Sequence, residues 1–269
     1  MLGFIVLWVW LRIFGRLPLR VLYLVADIAG TVAWYLAPRL RRVTVDHMRH
    51  ACKPEATPMQ HIQAARGCVR SAARYWADLA WVTHRSPEKT IERIEVVDGI
   101  EHFIAANDRR CGVIFASAHL GNPELLIRAV GTLGFDILVL TEPLSPPSLN
   151  RLIHDVRAAP GVRFAQADRS GVRQAIEQLR NGGMLAVMAD RDVLGSGSPV
   201  SFFGELANLP RGAVELALRA NADLIVGFVR RSSGGGVRVR IGPPLDLQRT
   251  SDREVDAVHG MRLLLRALE

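Results

Sequence analysis

A chain of 269 residues with 49% hydrophobic content buries a large core as one α/β domain with a helical appendage, and is short for two full domains. Its three cysteines, Cys52, Cys68 and Cys111, are odd in number and form no CxxC pair, which excludes a disulfide framework and a zinc pattern and fits a reducing compartment. The formal net charge is +8, and all but Lys53 and Lys89 of the 34 basic residues are arginines; with 6% aromatic residues and no zinc-finger or RNP-like run, the excess points to acidic lipid or a phosphorylated substrate rather than nucleic acid.

Residues 1–11 are almost wholly apolar, but Arg12, Arg16 and Arg20 interrupt the run and Pro18 breaks it. A helix of about 12 residues rises about 18 Å, too little for a hydrocarbon core of about 30 Å. No basic stretch precedes the apolar one, so it does not read as a secretory signal, and an anchoring role is expected. Residues 21–38 have the length of a span, yet Asp27 sits in the middle and would be costly in lipid, which predicts a buried or interfacial helix. Arg39, Arg41, Arg42 and Arg49 follow, close to Trp34 and Tyr35. That composition suits adsorption to an anionic cytoplasmic leaflet, although a solvated basic face has the same pattern. We therefore expect membrane-associating helices over residues 1–50 and an α/β domain over 51–269.

A long helix is predicted over 57–84, where Ile62, Ala65, Val69, Ala72, Tyr75, Trp76, Leu79 and Val82 recur every three to four residues as a core stripe. From about residue 92 the texture alternates. Strands are expected over 94–97, 113–118, 137–140, 162–165, 184–189, 224–229 and 237–241, with helices near 99–106, 123–133, 147–159, 169–181, 210–220 and 251–268. This is the pattern of an α/β fold with a mixed, largely parallel sheet covered by helices. Ser232–Gly236 reads as a hairpin between the last two strands, which gives the sheet an antiparallel edge.

The stretch Val113-Ile-Phe-Ala-Ser-Ala-His-Leu-Gly-Asn-Pro-Glu124 carries the strongest chemical signal. An apolar strand runs into a turn, Asn122 is suited to cap a helix, Pro123 to its first position and Glu124 to its positive end. Ligands in open α/β sheets sit at such carboxyl-end corners, so His119 and Glu124 are placed to meet one substrate. The spacing alone says less: 8 histidines and 26 acids give about 0.8 chance matches to H-x4-[DE]. A second match, His50 to Glu55, follows no strand and is read as outside the site. The Gly195–Ser198 stretch lacks G-x4-G-K-[ST] and is read as a flexible loop, and no G-x-S-x-G elbow is present.

The segments HLGNPE at 119–124, MLAVMADRD at 184–192 and FFGELANLPRGAVELALRANADLIVGFVRR at 202–231 together resemble the bacterial late acyltransferases of lipid A biosynthesis and their relatives, the phosphatidylinositol mannoside acyltransferases. The resemblance covers most of the chain. It implies a glycerolphosphate-acyltransferase-like fold and a membrane enzyme, peripheral or singly anchored, at the cytoplasmic face of the inner membrane. It also implies transfer of an acyl chain from acyl carrier protein or coenzyme A to a hydroxyl of a glycolipid, with no metal and no cofactor beyond that thioester co-substrate. By the same resemblance His119 is the general base and Glu124 the carboxylate that orients it. Arg157, with Arg163 as second choice, matches an arginine that stabilises the thioester oxygen or binds a phosphate. Asp190 and Asp192 match acidic positions that bind substrate or support the site, and Glu205 and Pro210 help shape the acceptor side. Two departures bear on the acceptor: Pro123 stands where relatives commonly carry an aromatic residue, and the chain stops at Glu269, short of a tryptophan-bearing segment that many relatives carry. A reading of another class is a non-catalytic lipid-binding protein of the same fold, which turnover would distinguish.

Overall fold

The computed structural model describes residues 2–192, 195, 197–232 and 234–269. The chain divides into two compact units, Met1–Ser86 with Ser201–Glu205, and Pro87–Val200 with Leu206–Glu269.

The first unit is helical: α1 (Leu2–Arg12), a 3-10 turn at Phe14–Arg16, α2 (Leu19–Leu36), α3 (Pro38–Ala51) and α4 (Pro58–Val82). Thr57 and Gln60 start α4 with a reciprocal capping box, and Pro58 takes the first helical position. A narrow stripe on α2, Leu22, Ala26, Gly30 and Trp34, is buried, and it packs with Ala65, Val69 and Ala77 of α4. At Gly30 the helices come so close that a Cβ would lie 3.1 Å from the Cα of Arg70. Asp27, expected to be costly in lipid, faces α4: its carboxylate accepts hydrogen bonds of 2.7 and 2.6 Å from Nε and Nη2 of Arg74, and Arg70 stands at 3.6 Å. Above it, Tyr23 donates at 2.7 Å to the fully buried Asp78. The helical unit runs to Ser86: α2 buries its apolar stripe against α4, and α3, which has no buried residue, packs there through the half-buried Val45 and Met48.

The second unit holds α5 (Pro87–Ile91), β1 (Ile94–Asp98), α6 (Ile100–Asp108), β2 (Val113–Ser117), α7 (Pro123–Thr132), β3 (Ile137–Thr141) and α8 (Pro147–Arg157). It continues with β4 (Val162–Gln166), α9 (Arg169–Arg180), β5 (Met184–Met188), α10 (Gly212–Ala220), β8 (Asp223–Arg231), β9 (Val237–Pro244) and α11 (Arg253–Leu268). Between β5 and α10, β6 (Ser198–Phe202) and β7 (Glu205–Leu209) pair with each other alone. The other seven strands form one sheet in the order β1-β9-β8-β2-β5-β3-β4.

From β8 through β2, β5 and β3 to β4 every pairing is parallel, and only β8–β9 is antiparallel. The expected mixed sheet and the antiparallel pairing of the last two strands are present, but β9 is not the edge, because β1 pairs with it in parallel and takes the outermost place; of the hairpin loop Ser232–Gly236, Ser233 lies outside the described residues. The central strands are covered on both faces, with Ile114, Leu185, Leu224 and Ile225 fully buried, which is why they read as short continuous apolar runs. The β6–β7 hairpin was not expected from the sequence. Its turn is Phe203-Gly204, both at positive φ (49° and 78°), so the FFGE motif is a two-residue hairpin connection.

Candidate active site

Because β2 lies between β8 and β5 and all three run parallel, their carboxyl ends meet at one edge of the sheet. Ser117 of β2 is the register partner of Met188 of β5, and the ladder extends by one bond, Ala189 N–H to Ser117 O at 2.8 Å. His119 and Asp190 each stand two residues beyond that pair, in equivalent positions on neighbouring strands. They meet: Nδ1 of His119 is 2.7 Å from Oδ1 of Asp190, and the His119 backbone N–H donates to Oδ2 at 2.8 Å. Burial alone would raise the Asp190 pKa, but the ring and backbone hydrogen bonds and the charge of His119 outweigh it and hold the carboxyl below the ordinary aspartate range.

An ionised carboxylate only accepts, so the proton of the neutral ring sits on Nδ1, and Nε2 keeps its lone pair. The His119 side chain is 56% exposed while that of Asp190 is 21% exposed. The ring is therefore anchored at its back and open at Nε2, which makes no hydrogen bond among the described residues.

The turn that follows is fixed from the other side. Gly121 forms a parallel bridge with Val229 of β8 at φ 69°, and a Cβ there would run into the Val229 carbonyl. Only glycine meets both conditions. Asn122, 2% exposed, then caps α7 by accepting from Glu124 N–H at 3.1 Å, as the sequence predicts.

Glu124 is in the first turn of α7, as expected, but it is not the carboxylate on the ring. Its Oε1 takes Nη2 of Arg157 at 2.6 Å, with the two side chains 14% and 19% exposed. The strand neighbouring β2 brings Asp190 directly to Nδ1, while α7 points Glu124 at Arg157, the last residue of α8. The predicted arginine is thus brought to the predicted acid, on the helix that starts at the corner. One turn earlier on α8, His154 stacks on Phe164 at 5.1 Å and 21°. Burial first, then the charge of Arg157, pushes its pKa below the usual imidazole value. Beside the corner, Phe115, Leu126, Ile127, Val139 and Met188 line an apolar crevice of about 40 Å³ between the sheet and α7.

The remaining candidates lie elsewhere. Arg163 is at the amino end of β4, one residue after the Val162–Ile137 pair, where it binds Asp136 at 3.1 Å and Gln178 at 2.5 Å. Since β2, β3, β4 and β5 are parallel, that is the edge opposite His119. Asp192 accepts from Gly197 N–H at 2.8 Å; Ser196 of the Gly195–Ser198 stretch is outside the described residues. Pro210 precedes α10. Glu205 belongs to the helical unit and lies 3.7 Å from His50, the histidine of the discarded second match. Sequence reasoning missed His154 and the ion pair of Arg191 with Glu142 (3.2 Å) beyond the ends of β5 and β3. The i, i+3 spacing of His154 and Arg157 was the available signal for the former.

The chain matches the family described as bacterial lipid A biosynthesis acyltransferase over residues 1–265. It is 30% identical over 167 residues to a phosphatidylinositol mannoside acyltransferase of Mycobacterium tuberculosis, covering 58% of this chain and 51% of that protein. A phosphatidylinositol mannoside acyltransferase of Mycolicibacterium smegmatis is 29% identical over 200 residues, 72% of this chain and 63% of the relative. The chain thus spans between half and two thirds of the length of the relatives it matches. A match that runs through all three diagnostic segments and nearly every described element places this chain in the bacterial lipid A biosynthesis acyltransferase family.

Proposed function

We propose that the protein moves a fatty acyl chain from an acyl thioester, on acyl carrier protein or coenzyme A, to a hydroxyl of a membrane glycolipid, working at the cytoplasmic face of the inner membrane. The observation that carries this reading is the His119–Asp190 pair at 2.7 Å, open at Nε2, in a chain of this family. An alcohol is too weak an acid to attack a thioester unaided, so Nε2 removes its proton as the oxygen bonds to the carbonyl carbon. Asp190 holds the Nδ1–H tautomer and stabilises the imidazolium that forms. When the tetrahedral intermediate collapses, the carbon–sulfur bond breaks and the imidazolium returns its proton to the leaving thiolate, giving ester and free thiol. The chemistry needs no metal or further cofactor in this account.

Charge that builds on the thioester oxygen needs a donor. The Glu124 N–H is already taken by the Asn122 cap, which favours Arg157, held in place by Glu124, either on that oxygen or on a donor or acceptor phosphate. Asp192, Glu205 and Pro210 support the substrate loops in this reading. The mannosylated phosphoinositides in the relatives' names are the first acceptor class to test, with lipid A precursors second.

The test is mass spectrometry of glycolipid acceptors incubated with the purified chain and either acyl-CoA or acyl carrier protein thioester, wild type beside His119→Ala. A mass gain of one acyl group, base-labile and lost in the variant by about 10²–10⁴-fold, is expected. Absence of transfer from both donors, with lipid binding intact, would favour the non-catalytic lipid-binding reading.

A further inference from the structure

Among the described residues one helix, α2, is long and apolar enough to cross a membrane, at 18 residues and about 27 Å. Its surroundings argue for a different disposition. Its buried stripe, Leu22, Ala26, Gly30 and Trp34, is occupied by α4. The opposite face exposes Val21, Leu24, Val25, Ile28, Val32 and Tyr35. The helix carries two charged residues, Arg20 in its first turn and Asp27, and the latter is turned inward onto Arg74. The outer face is therefore apolar and free of acid along its length.

Crossing a bilayer would require α2 either to leave α4 or to take it along. Leaving opens the bidentate Asp27–Arg74 pair and the Tyr23–Asp78 bond and puts a carboxylate in lipid. Taking α4 along submerges Arg66, Arg70, Arg74 and Asp78. Both are costly. Lying flat avoids both. The outer face then sits at the headgroup boundary, and the exposed arginines at and beyond the helix ends, Arg12, Arg16 and Arg20 at one end and Arg39 and Arg42 at the other, stand at phosphate level. Charge complementarity selects the surface: the first 50 residues hold seven arginines and two aspartates, and Asp27 is already neutralised. Arg12 and Arg16 also line, with Trp8, Ile13 and His84, an open cavity of about 540 Å³, a seat of the right charge for a lipid phosphate.

We propose that α2 is an in-plane membrane helix, laid with its uncharged outer face on an anionic leaflet and kept from crossing by its Asp27–Arg74 attachment to α4. This rests on the reading that the chain works at a membrane, and it names how the chain sits there.

The experiment uses the full chain with Cys52, Cys68 and Cys111 replaced by serine, and single cysteines at the two ends of the helix, Pro18→Cys and Ala37→Cys. In sealed right-side-out and inverted membrane vesicles, an impermeant maleimide should label both ends in the same preparation and neither in the other. Labelling of opposite ends in opposite preparations means a span and overturns the proposal. In parallel, purified chain is sedimented with vesicles of phosphatidylglycerol and phosphatidylcholine. Ile28→Asp, an outward position away from Asp27, should weaken association at least tenfold with circular dichroism and melting unchanged. If Ile28→Asp instead breaks a dimer and leaves vesicle association intact, the face belongs to a second copy and the proposal is wrong. Acyl transfer to detergent-dispersed glycolipid is read separately: transfer without vesicle binding defeats the in-plane helix alone, and vesicle binding without transfer defeats the enzymatic reading alone.

Discussion

A histidine serves as a base only when something holds the ring and offsets the charge it acquires, and here two carboxylates compete for that part. Asp190 makes two contacts below 3 Å with His119, whereas Glu124 is engaged with Arg157. The two assignments differ in measurable couplings. In kinetic double-mutant cycles, Asp190→Asn should lower kcat on the order of 10²-fold with KM nearly kept, and cost almost nothing further once His119 is alanine, because the two act as a unit. Glu124→Gln should instead couple to Arg157: it should matter little in an Arg157→Met background, and Arg157→Lys, which keeps charge and loses the planar fork, should be intermediate. Strong coupling of Glu124 to His119 with weak coupling of Asp190 would restore the helix acid as the orienting group. The corner itself was legible because strand, turn, cap and helix are consecutive in the chain. The partner of His119 was not, since Asp190 lies 71 positions away and reaches the ring only because β5 inserts beside β2, with β3 and β4 displaced outward. Local patterns reveal that a strand exists and leave its neighbours open.

At the level of elements, the attachment of α2 to α4 sets what the helical unit tolerates. Arg74→Met leaves Asp27 without its bidentate partner in a half-buried crossing, and should cost roughly 1.5–3 kcal/mol, the worth of hydrogen bonds to a charged group. A denaturant titration reads this directly. Hydrogen bonding from Arg74 holds the Asp27 pKa below its ordinary 3.8. A depressed folded-state pKa gives stability that is present above the unfolded value and lost as pH falls through the folded one, so unfolding should become easier below about pH 4. The Arg74→Met variant should lose much of that acid sensitivity. The turn at Gly121 is a second element-scale constraint. Gly121→Ala forces a Cβ onto the Val229 carbonyl at a positive φ and should destabilise by at least about 1 kcal/mol, with transfer activity falling more than the folded fraction because His119 rides on that turn. Helix periodicity made α4 plain in advance; of its expected core stripe Ala65, Val69, Leu79 and Val82 are buried, whereas Ile62, Ala72 and Trp76 are exposed. The hairpin at Phe203-Gly204 went unread because its strands are mostly exposed or half-buried and give no clean alternation of apolar and polar residues.

For the whole molecule the governing quantity is charge, which composition gives without any fold. A protein at +8 with 32 arginines is drawn to an anionic surface over a Debye length, and the pull weakens as salt shortens that length from about 10 Å at 0.1 M to about 3 Å at 1 M. Basic residues near such a surface contribute about 1 kcal/mol each, so replacing Arg12, Arg16 and Arg20 together by alanine should weaken association with phosphatidylglycerol vesicles by roughly 100-fold at low salt. The apolar outer face of α2 is screened by no salt. Wild-type association should therefore fall with salt to a plateau that Ile28→Asp removes and the triple arginine variant keeps. Sedimentation across a salt series separates the two contributions. Acyl transfer to acceptor presented in the same vesicles should follow the bound fraction, while transfer to detergent-dispersed acceptor should stay flat with salt. A rate that ignored anionic lipid in both presentations would mean that the arginines serve the acyl donor, whose phosphates carry the same charge, and not the membrane.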